Sequence, residues 1–338
     1  MDSFTHVFLG GCLGHLALGK RAGRKAIWWG ALADTVPDLD IFSGFFVHPV
    51  DALLIHRGFT HSILFAVLFS FVGGIGLARL YKKEKIPWDS WCLVLALGIF
   101  SHLFIDSLTN YGTGLLEPFN GLRFSYATIF IADPTFTFPL LIAFFVLIFK
   151  RPTIKIKTLF SSSALFMSSL YLVFTFFNKV HFESYFKKQF DDQHIPVLSQ
   201  RVAPSPFNNI LWGVMGKTDS GYYSGYHSLF SKTDTVHFIF IPGHDVLAEP
   251  WKGQHEFELL RRFTQGYSCL NTGKDGMLYF NDLRDGVVKG WVEPFEGFNF
   301  SYPLVRDQKD SMHLIKANPW SRSGFNGMQE LWKKMWGK

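Results

Sequence analysis

Histidine and aspartate recur in the first 110 residues wherever an apolar run begins or ends: His6, Asp34, Asp38, Asp40, His56, His61, His102 and Asp106, with Arg57 among them. Ionisable groups at the ends of apolar helices are costly to keep there, so they point to function. His102-Leu103-Phe104-Ile105-Asp106 is a His-x3-Asp pair. At i and i+4 both side chains lie on one helix face and can share a metal ion. His61 opens another apolar run, and Pro37-Asp38-Leu39-Asp40 closes a third. Read as extended chain, the last segment points Asp38 and Asp40 the same way, toward one centre. Imidazole and carboxylate together suit zinc, manganese or iron, and a bridging aspartate would allow two ions. Asp40, His61, His102 and Asp106 are the combination that reads as a metal site. Arg57 reads in two ways, as a holder of an anionic substrate group or as a salt bridge to Asp38 or Asp51 that steadies a loop. His15 and His48 read as packing or solvated residues, and the histidines of the second half show no ligand spacing.

These residues need elements that bring them together. Residues 62–78, 90–105, 135–149 and 158–178 carry no charge. Their lengths suit helices that cross a bilayer or nearly so. Residues 7–19 and 26–33 are shorter and Gly-rich, and read as half-buried or re-entrant helices or as spans completed by polar residues inside a bundle. The expectation is therefore four to six membrane segments. The N-terminus does not read as a signal peptide, since Met1-Asp2-Ser3 carries no positive region. Lys20, Arg21, Arg24 and Lys25 follow the first run, Lys82, Lys83 and Lys85 the third, and Lys150, Arg151, Lys155 and Lys157 the fifth. The alternate loops, 34–60 and 109–134, hold only Arg57 and Arg123. The positive-inside rule then sets the basic loops in the cytoplasm and everything after 178 outside. With six crossings, His6, Asp34–Asp40, His61, His102 and Asp106 all fall at the outer face. Scatter over both faces would have dismissed a shared site.

Of the 338 residues, 48% are hydrophobic and 18% charged, which excludes disorder, coiled coil and collagen. Cys12, Cys92 and Cys269 lie too far apart in sequence for a CxxC zinc site or a disulfide framework. The net charge of +6 sits beside apolar runs, which favours a membrane over nucleic acid as partner. The second half changes character. Alternating runs such as Val236–Ile241 and Met277–Phe280, with dense turn signals, read as a small β-rich soluble domain. Within it, residues 253–266 read as an amphipathic helix, Asn281-Asp282-Leu283-Arg284 as a turn, and the stretch ending Leu331–Trp336 as a C-terminal amphipathic helix. The expected fold is a mainly α membrane bundle, residues 1–178, followed by a small α+β domain rich in β, residues 179–338.

Thr5-His6, Gly30 to Asp40, His56-Arg57-Gly58-Phe59-Thr60-His61-Ser62 and Ser101-His102-Leu103-Phe104-Ile105-Asp106 resemble the YdjM-like family, inner-membrane proteins regarded as metal-dependent hydrolases. The likeness covers about residues 1–180, and residues 201–208 are similar to the start of a tail that many members carry. More remotely, the family is similar to zinc-dependent phospholipase C. That resemblance implies one ion held by Asp40, His61, His102 and Asp106, and another held in part by His6 with Asp106. The further His and Glu ligands of the soluble enzymes are not found here, so one or two ions are expected rather than three. The implied reaction is hydrolysis of a phosphoester or lipid-like, amphipathic substrate at the periplasmic face of the inner membrane. In it Asp38 would act as general base or orient a ligand histidine, and Arg57 would stabilise an oxyanion. A scaffold or regulator with a structural metal site is the alternative. The LexA-binding description of some relatives points that way, but an outward C-terminal half argues against a cytosolic partner. Transport is weaker, because the charges gather at one face.

Overall fold

A computed structural model describes residues 1–243, 245–273, 275–287, 297–306, 312–314 and 331–337. His244 and Lys274 lie outside the described residues, as does the side chain of His313. Two compact units make up the chain: Met1–Phe45, Ile55–Phe177 and Pro206–Asn208 form one, and Phe46–Leu54, Asn178–Ser205 and Asn209–Lys338 the other.

The first unit is helical. Helices α1 (Ser3–Ala22) and α2 (Arg24–Thr35) are followed by a 3-10 segment, Val36–Phe45. After a short helix that belongs almost wholly to the second unit, α3 (Pro49–Ile55), come α4 (Ile63–Leu80), α5 (Trp88–Ser107), α6 (Pro134–Ile148) and the 39-residue α7 (Ile154–Asp192), whose residues from Asn178 onward belong to the second unit. By length and composition α4, α5 and α7 can each cross a membrane, and α6 is a shorter apolar helix. The two Gly-rich runs that read as half-buried lie inside α1 and α2, which pack on each other and on α5. Their glycines explain how closely. A Cβ on Gly10 would stand 2.4 Å from the Gly30 carbonyl oxygen, and one on Gly14 would stand 2.1 Å from that of Ala26. On α5, a Cβ on Gly98 would stand 2.8 Å from the Gly30 carbonyl oxygen. Small residues let helix backbones touch, which is how helices hold together where lipid removes the hydrophobic drive.

Caps set where the helices begin. Asp2 accepts the Thr5 N–H to start α1, Ser62 accepts that of Phe65 to start α4, and Asp133 accepts that of Thr135 at 2.9 Å before Pro134 to start α6. Tyr171 on α7 donates to the other Asp133 oxygen at 2.8 Å. The core between α1, α2 and α6 holds Leu9, Cys12, Ile27, Phe136, Leu140 and Phe144. The loop after α5 is tied to the one before α4. Gly114 N–H donates to Arg57 O at 2.8 Å, and Ile63 N–H to Leu115 O at 3.0 Å.

The second unit holds two antiparallel four-stranded sheets, ordered β1-β2-β3-β4 and β5-β6-β7-β8. The first comprises β1 (Ser199–Pro204), β2 (Leu211–Lys217), β3 (Gly221–Ser228) and β4 (Ile239–Pro242). The second comprises β5 (Ser268–Thr272), β6 (Leu278–Val287), β7 (Phe298–Arg306) and β8 (Met312–Leu314). Phe182, Phe186 and Phe190 of α7 recur every fourth residue and pack on Trp212 and Val214. Helix α8 (His255–Phe263) is the amphipathic helix read within 253–266, with Phe257, Leu260 and Phe263 inward. Residues 331–335 are helical. One expectation is overturned: Asn281-Asp282-Leu283-Arg284 is no turn but lies within β6. The i,i+2 alternation of a strand puts Asp282 and Arg284 on one face, where they form a buried ion pair at 2.6 Å. Their polarity imitated a turn signal because the pair neutralises itself inside the sheet.

Candidate metal centre

Four groups converge at one end of the helical unit. Asp38, His61, His102 and Asp106 each offer one ligand atom, and these atoms lie within 4.8 Å of one another. A second set, His6, Asp34 and His102, meets the same limit. His61, His102, Asp106, His6 and Asp34 are all buried; Asp38 is the most open member of the first set.

The elements explain the meeting. His6 is one turn into α1, Asp34 in the last turn of α2, and His102 and Asp106 on one face of α5, as their spacing requires. Close backbone packing of α1, α2 and α5 lets these short side chains touch. His6 Nδ1 lies 2.9 Å from Asp34 Oδ1, and its Nε2 lies 3.2 Å from Asp106 Oδ1. The His6 and His102 rings lie tilted by 30° with centroids 3.8 Å apart. The amino group of Met1 also bonds Asp106 Oδ1.

Proton placement follows from the partners. His102 Nδ1 is 2.6 Å from the Asp34 carbonyl oxygen, which only an N–H can satisfy. Its Nε2 therefore carries a lone pair. His61 Nδ1 faces Asp40 Oδ2 at 3.2 Å, so its proton sits there and its Nε2 is also a lone pair. These two Nε2 atoms point at each other across 2.9 Å. Asp38 Oδ1 lies 3.5 and 3.6 Å from them, and Asp106 Oδ2 lies 3.5 Å from both. Asp106 Oδ2 makes no well-aligned hydrogen bond among the described residues, and the Arg57 Nε lies 3.0 Å from it as an ion pair. Four acceptors with no proton between them are what a cation satisfies, and this nitrogen and oxygen set fits a divalent ion.

Two roles differ from the sequence reading. Residues 36–45 are not extended but a 3-10 helix, with three residues per turn. Asp38 and Asp40 therefore lie on different faces, and Asp38 rather than Asp40 joins the ligand atoms. Asp40 stands behind His61. Its Oδ1 meets His56 Nδ1 at 2.7 Å, and its Oδ2 accepts the Arg57 N–H at 2.9 Å and the Thr60 hydroxyl at 2.7 Å. Burial alone would raise the Asp40 carboxyl, but hydrogen bonds from His56 and His61 hold it below the usual carboxylate range. Arg57 is the second correction. Its side chain is buried beside the cluster. Its Nε lies 3.0 Å from Asp106 Oδ2, its Nη1 donates to Thr109 Oγ1 at 2.7 Å, and its guanidinium lies over the Tyr111 ring. The salt bridge is with Asp106, not with Asp38 or Asp51. A backbone φ of +63° at Arg57 turns the side chain inward. Burial pulls its pKa down to about 10, which leaves it charged at neutral pH.

Asp34 was legible as a helix-end acid but not as a ligand. The signal lay in its spacing, since Asp34 and Asp38 are i and i+4 across a helix end. His15 bonds the Thr158 hydroxyl at 3.3 Å, away from the cluster. Among the described residues no group in the second unit meets the ligand geometry.

The family model of the YdjM inner membrane protein matches residues 1–182. The chain belongs to the YdjM inner membrane protein family. Every residue of the cluster lies within the matched stretch, and most of the β-rich unit lies outside it. The inner membrane protein YbcI of Escherichia coli (strain K12) is 32% identical over 127 residues, which is 36% of this chain and 69% of YbcI. The uncharacterized protein YfhP of Bacillus subtilis (strain 168) is 32% identical over 141 residues, 40% of this chain and 42% of YfhP. No solved structure matches the chain.

Proposed function

We propose that this YdjM protein is a membrane-bound metal-dependent hydrolase acting on a phosphoester or lipid-like substrate. Asp38, His61, His102 and Asp106 would hold one divalent ion, and His6 and Asp34 would contribute to a second. Zinc suits the donor set best, with manganese or iron next. The observation that carries the reading is the pair of facing Nε2 lone pairs, flanked by two carboxylate oxygens. Bound there, the ion supplies Lewis acidity and lowers the pKa of a water to about 7.

The chain's own residues do the rest. The Asp34 carbonyl and the Asp40 carboxylate fix the proton positions of His102 and His61, which keeps both Nε2 atoms available. Arg57 holds Asp106 in place. Asp38, on the open side, is the group an incoming substrate meets first. Basic loops on the opposite side support a periplasmic site and C-terminal half in a multi-pass inner-membrane protein. A tag at residue 338 reached by a membrane-impermeant reagent in intact spheroplasts would agree; one reached only after lysis would not.

The first test is elemental analysis of protein purified in mild detergent, beside the folded double variant His61→Ala, His102→Ala. Stoichiometric metal that vanishes in the variant is expected. Equal metal in both, or none in either after incubation with each ion, overturns the reading. A structural metal site in a membrane scaffold is the second reading, and the burial of His61, His102 and Asp106 favours it, because structural sites are closed. Metal that stabilises the fold without any phosphodiester or lipid hydrolysis would select it.

A further inference from the structure

The segment that carries Asp38 and Asp40 has a second face. A 3-10 helix brings residues i, i+3 and i+6 into one row. Pro37, Asp40 and Ser43 form the inward row, with Pro37 and Asp40 buried. Leu39, Phe42 and Phe45 form another row, and they are 51%, 55% and 81% exposed, with the two phenylalanine rings stacked. Asp38 and Ile41 share the third row, and Ile41 is 63% exposed. Ten residues is long for a 3-10 helix. Here the tight pitch does something an α-helix would not, since it keeps an unbroken apolar row beside an unbroken row facing the site.

Soluble surfaces seldom display such a row. The segment has no lysine or arginine, and both of its acids serve the cluster. The apolar surface does not stop at the segment. Phe59 and Ile63 at the head of α4 are exposed, and so is Phe104 near the end of α5, beside His102 and Asp106 in sequence. α4 and α5 are membrane-length helices in a membrane-protein family, so their exposed apolar side chains are ones that lipid would cover.

We infer that Val36–Phe45 is a leaflet-inserted lip: its Leu39–Phe42–Phe45 row lies among acyl chains, so the cluster opens beside Asp38 and Ile41 into the leaflet rather than into bulk water. Resting on the hydrolase reading, this names the substrate class as an amphiphile that reaches the site laterally, its polar group at Asp38 and its chains along the lip. Non-covalent burial of the row holds the segment at the interface, as for other interfacial amphipathic helices.

The test is immersion depth by nitroxide labelling in phosphatidylethanolamine and phosphatidylglycerol nanodiscs. Single-cysteine variants Leu39→Cys, Ile41→Cys, Phe42→Cys and Phe45→Cys are made in a Cys92→Ala background, Cys12 and Cys269 being buried. Val72→Cys on α4 serves as the acyl reference and Asp219→Cys, in the turn between β2 and β3, as the aqueous reference. Labels at 42 and 45 should collide with oxygen as often as at 72, and with a water-soluble nickel chelate several-fold less often than at 219. Chelate collisions equal to those at 219 would put the row in water. Low collisions with both reagents would mean a protein partner covers it, and either result overturns the lip. Phe42→Trp gives a second readout, since lipids brominated on the upper acyl carbons should quench the added fluorescence. Neither measurement needs turnover or bound metal, so a failed lip and a failed hydrolase are distinguishable.

Discussion

Asp40 gives the sharpest test of how the cluster is built, because the structure moves it from ligand to support. Replacing it with Ala leaves the Arg57 N–H, the Thr60 hydroxyl and the His61 Nδ1 proton without their acceptor. Losing the partner behind a metal-ligating histidine costs about 10–100-fold in metal affinity, or about 1.4–2.8 kcal/mol. The Arg57 N–H is buried, but the half-buried Thr60 hydroxyl lies 3.1 Å from His61 Nδ1 and can accept its proton, which puts Asp40→Ala near the middle of that range, at about 30-fold, with a further loss of fold stability. Asp40→Asn should be milder, near 10-fold. Its amide oxygen can replace Oδ2 and keep those three donors paired, while its NH2 faces His56, which can accept by moving its own proton. Asp38→Ala removes a ligand atom and should exceed both. The assay is competition for zinc against a chromogenic chelator in detergent, with circular dichroism to confirm folding. Asp40→Ala within about two-fold of wild type, or Asp38→Ala weaker in effect than Asp40→Asn, would refute the assignment of the two aspartates.

Three other predictions follow from the packing. Gly30→Ala places a methyl 2.3 Å from the Gly10 carbonyl oxygen, so it should cost about 1–3 kcal/mol in thermal unfolding and weaken zinc binding by separating His6 from Asp34. Equal stability and affinity would show that the α1–α2 contact does not set the site. Arg284→Met leaves Asp282 buried and uncompensated and should destabilise the chain by about 3–5 kcal/mol, with metal content per folded molecule unchanged. Asp133→Ala removes the α6 cap and the Tyr171 partner and should cost about 0.5–2 kcal/mol, read as a lower unfolding midpoint in detergent.

What the sequence revealed divides by range. His102 and Asp106 were legible because a helix fixes which residues four apart share a face. The amphipathic helix in 253–266 was legible for the same local reason. The alternating runs of the second half marked strands, though not which strands pair. Asp38 and Asp40 were misassigned because a period of two was assumed where the backbone has a period of three. Pro37 and the two nearby acids do not choose between those conformations; packing of the segment on α2 and α5 does. Arg57 could not be placed from its residue type, because its positive φ and its N–H bond to the Asp40 carboxylate are features of the folded loop. The orientation of His102 depends on the Asp34 backbone carbonyl, which residue type cannot disclose.

The 12 residues of α2 carry one more consequence. They rise about 18 Å, against about 30 Å of hydrocarbon. Asp34 closes that helix, so the polar cluster begins well short of where a full-length span would end. Were α2 to lie across the bilayer, the bilayer beside it would have to thin, or the headgroup level would have to dip toward the carboxylates. Hydrophobic mismatch would then be a property of the site itself: acyl-chain length in the surrounding membrane would set how far a polar group descends to reach Asp38, and thin bilayers would suit the protein better than thick ones.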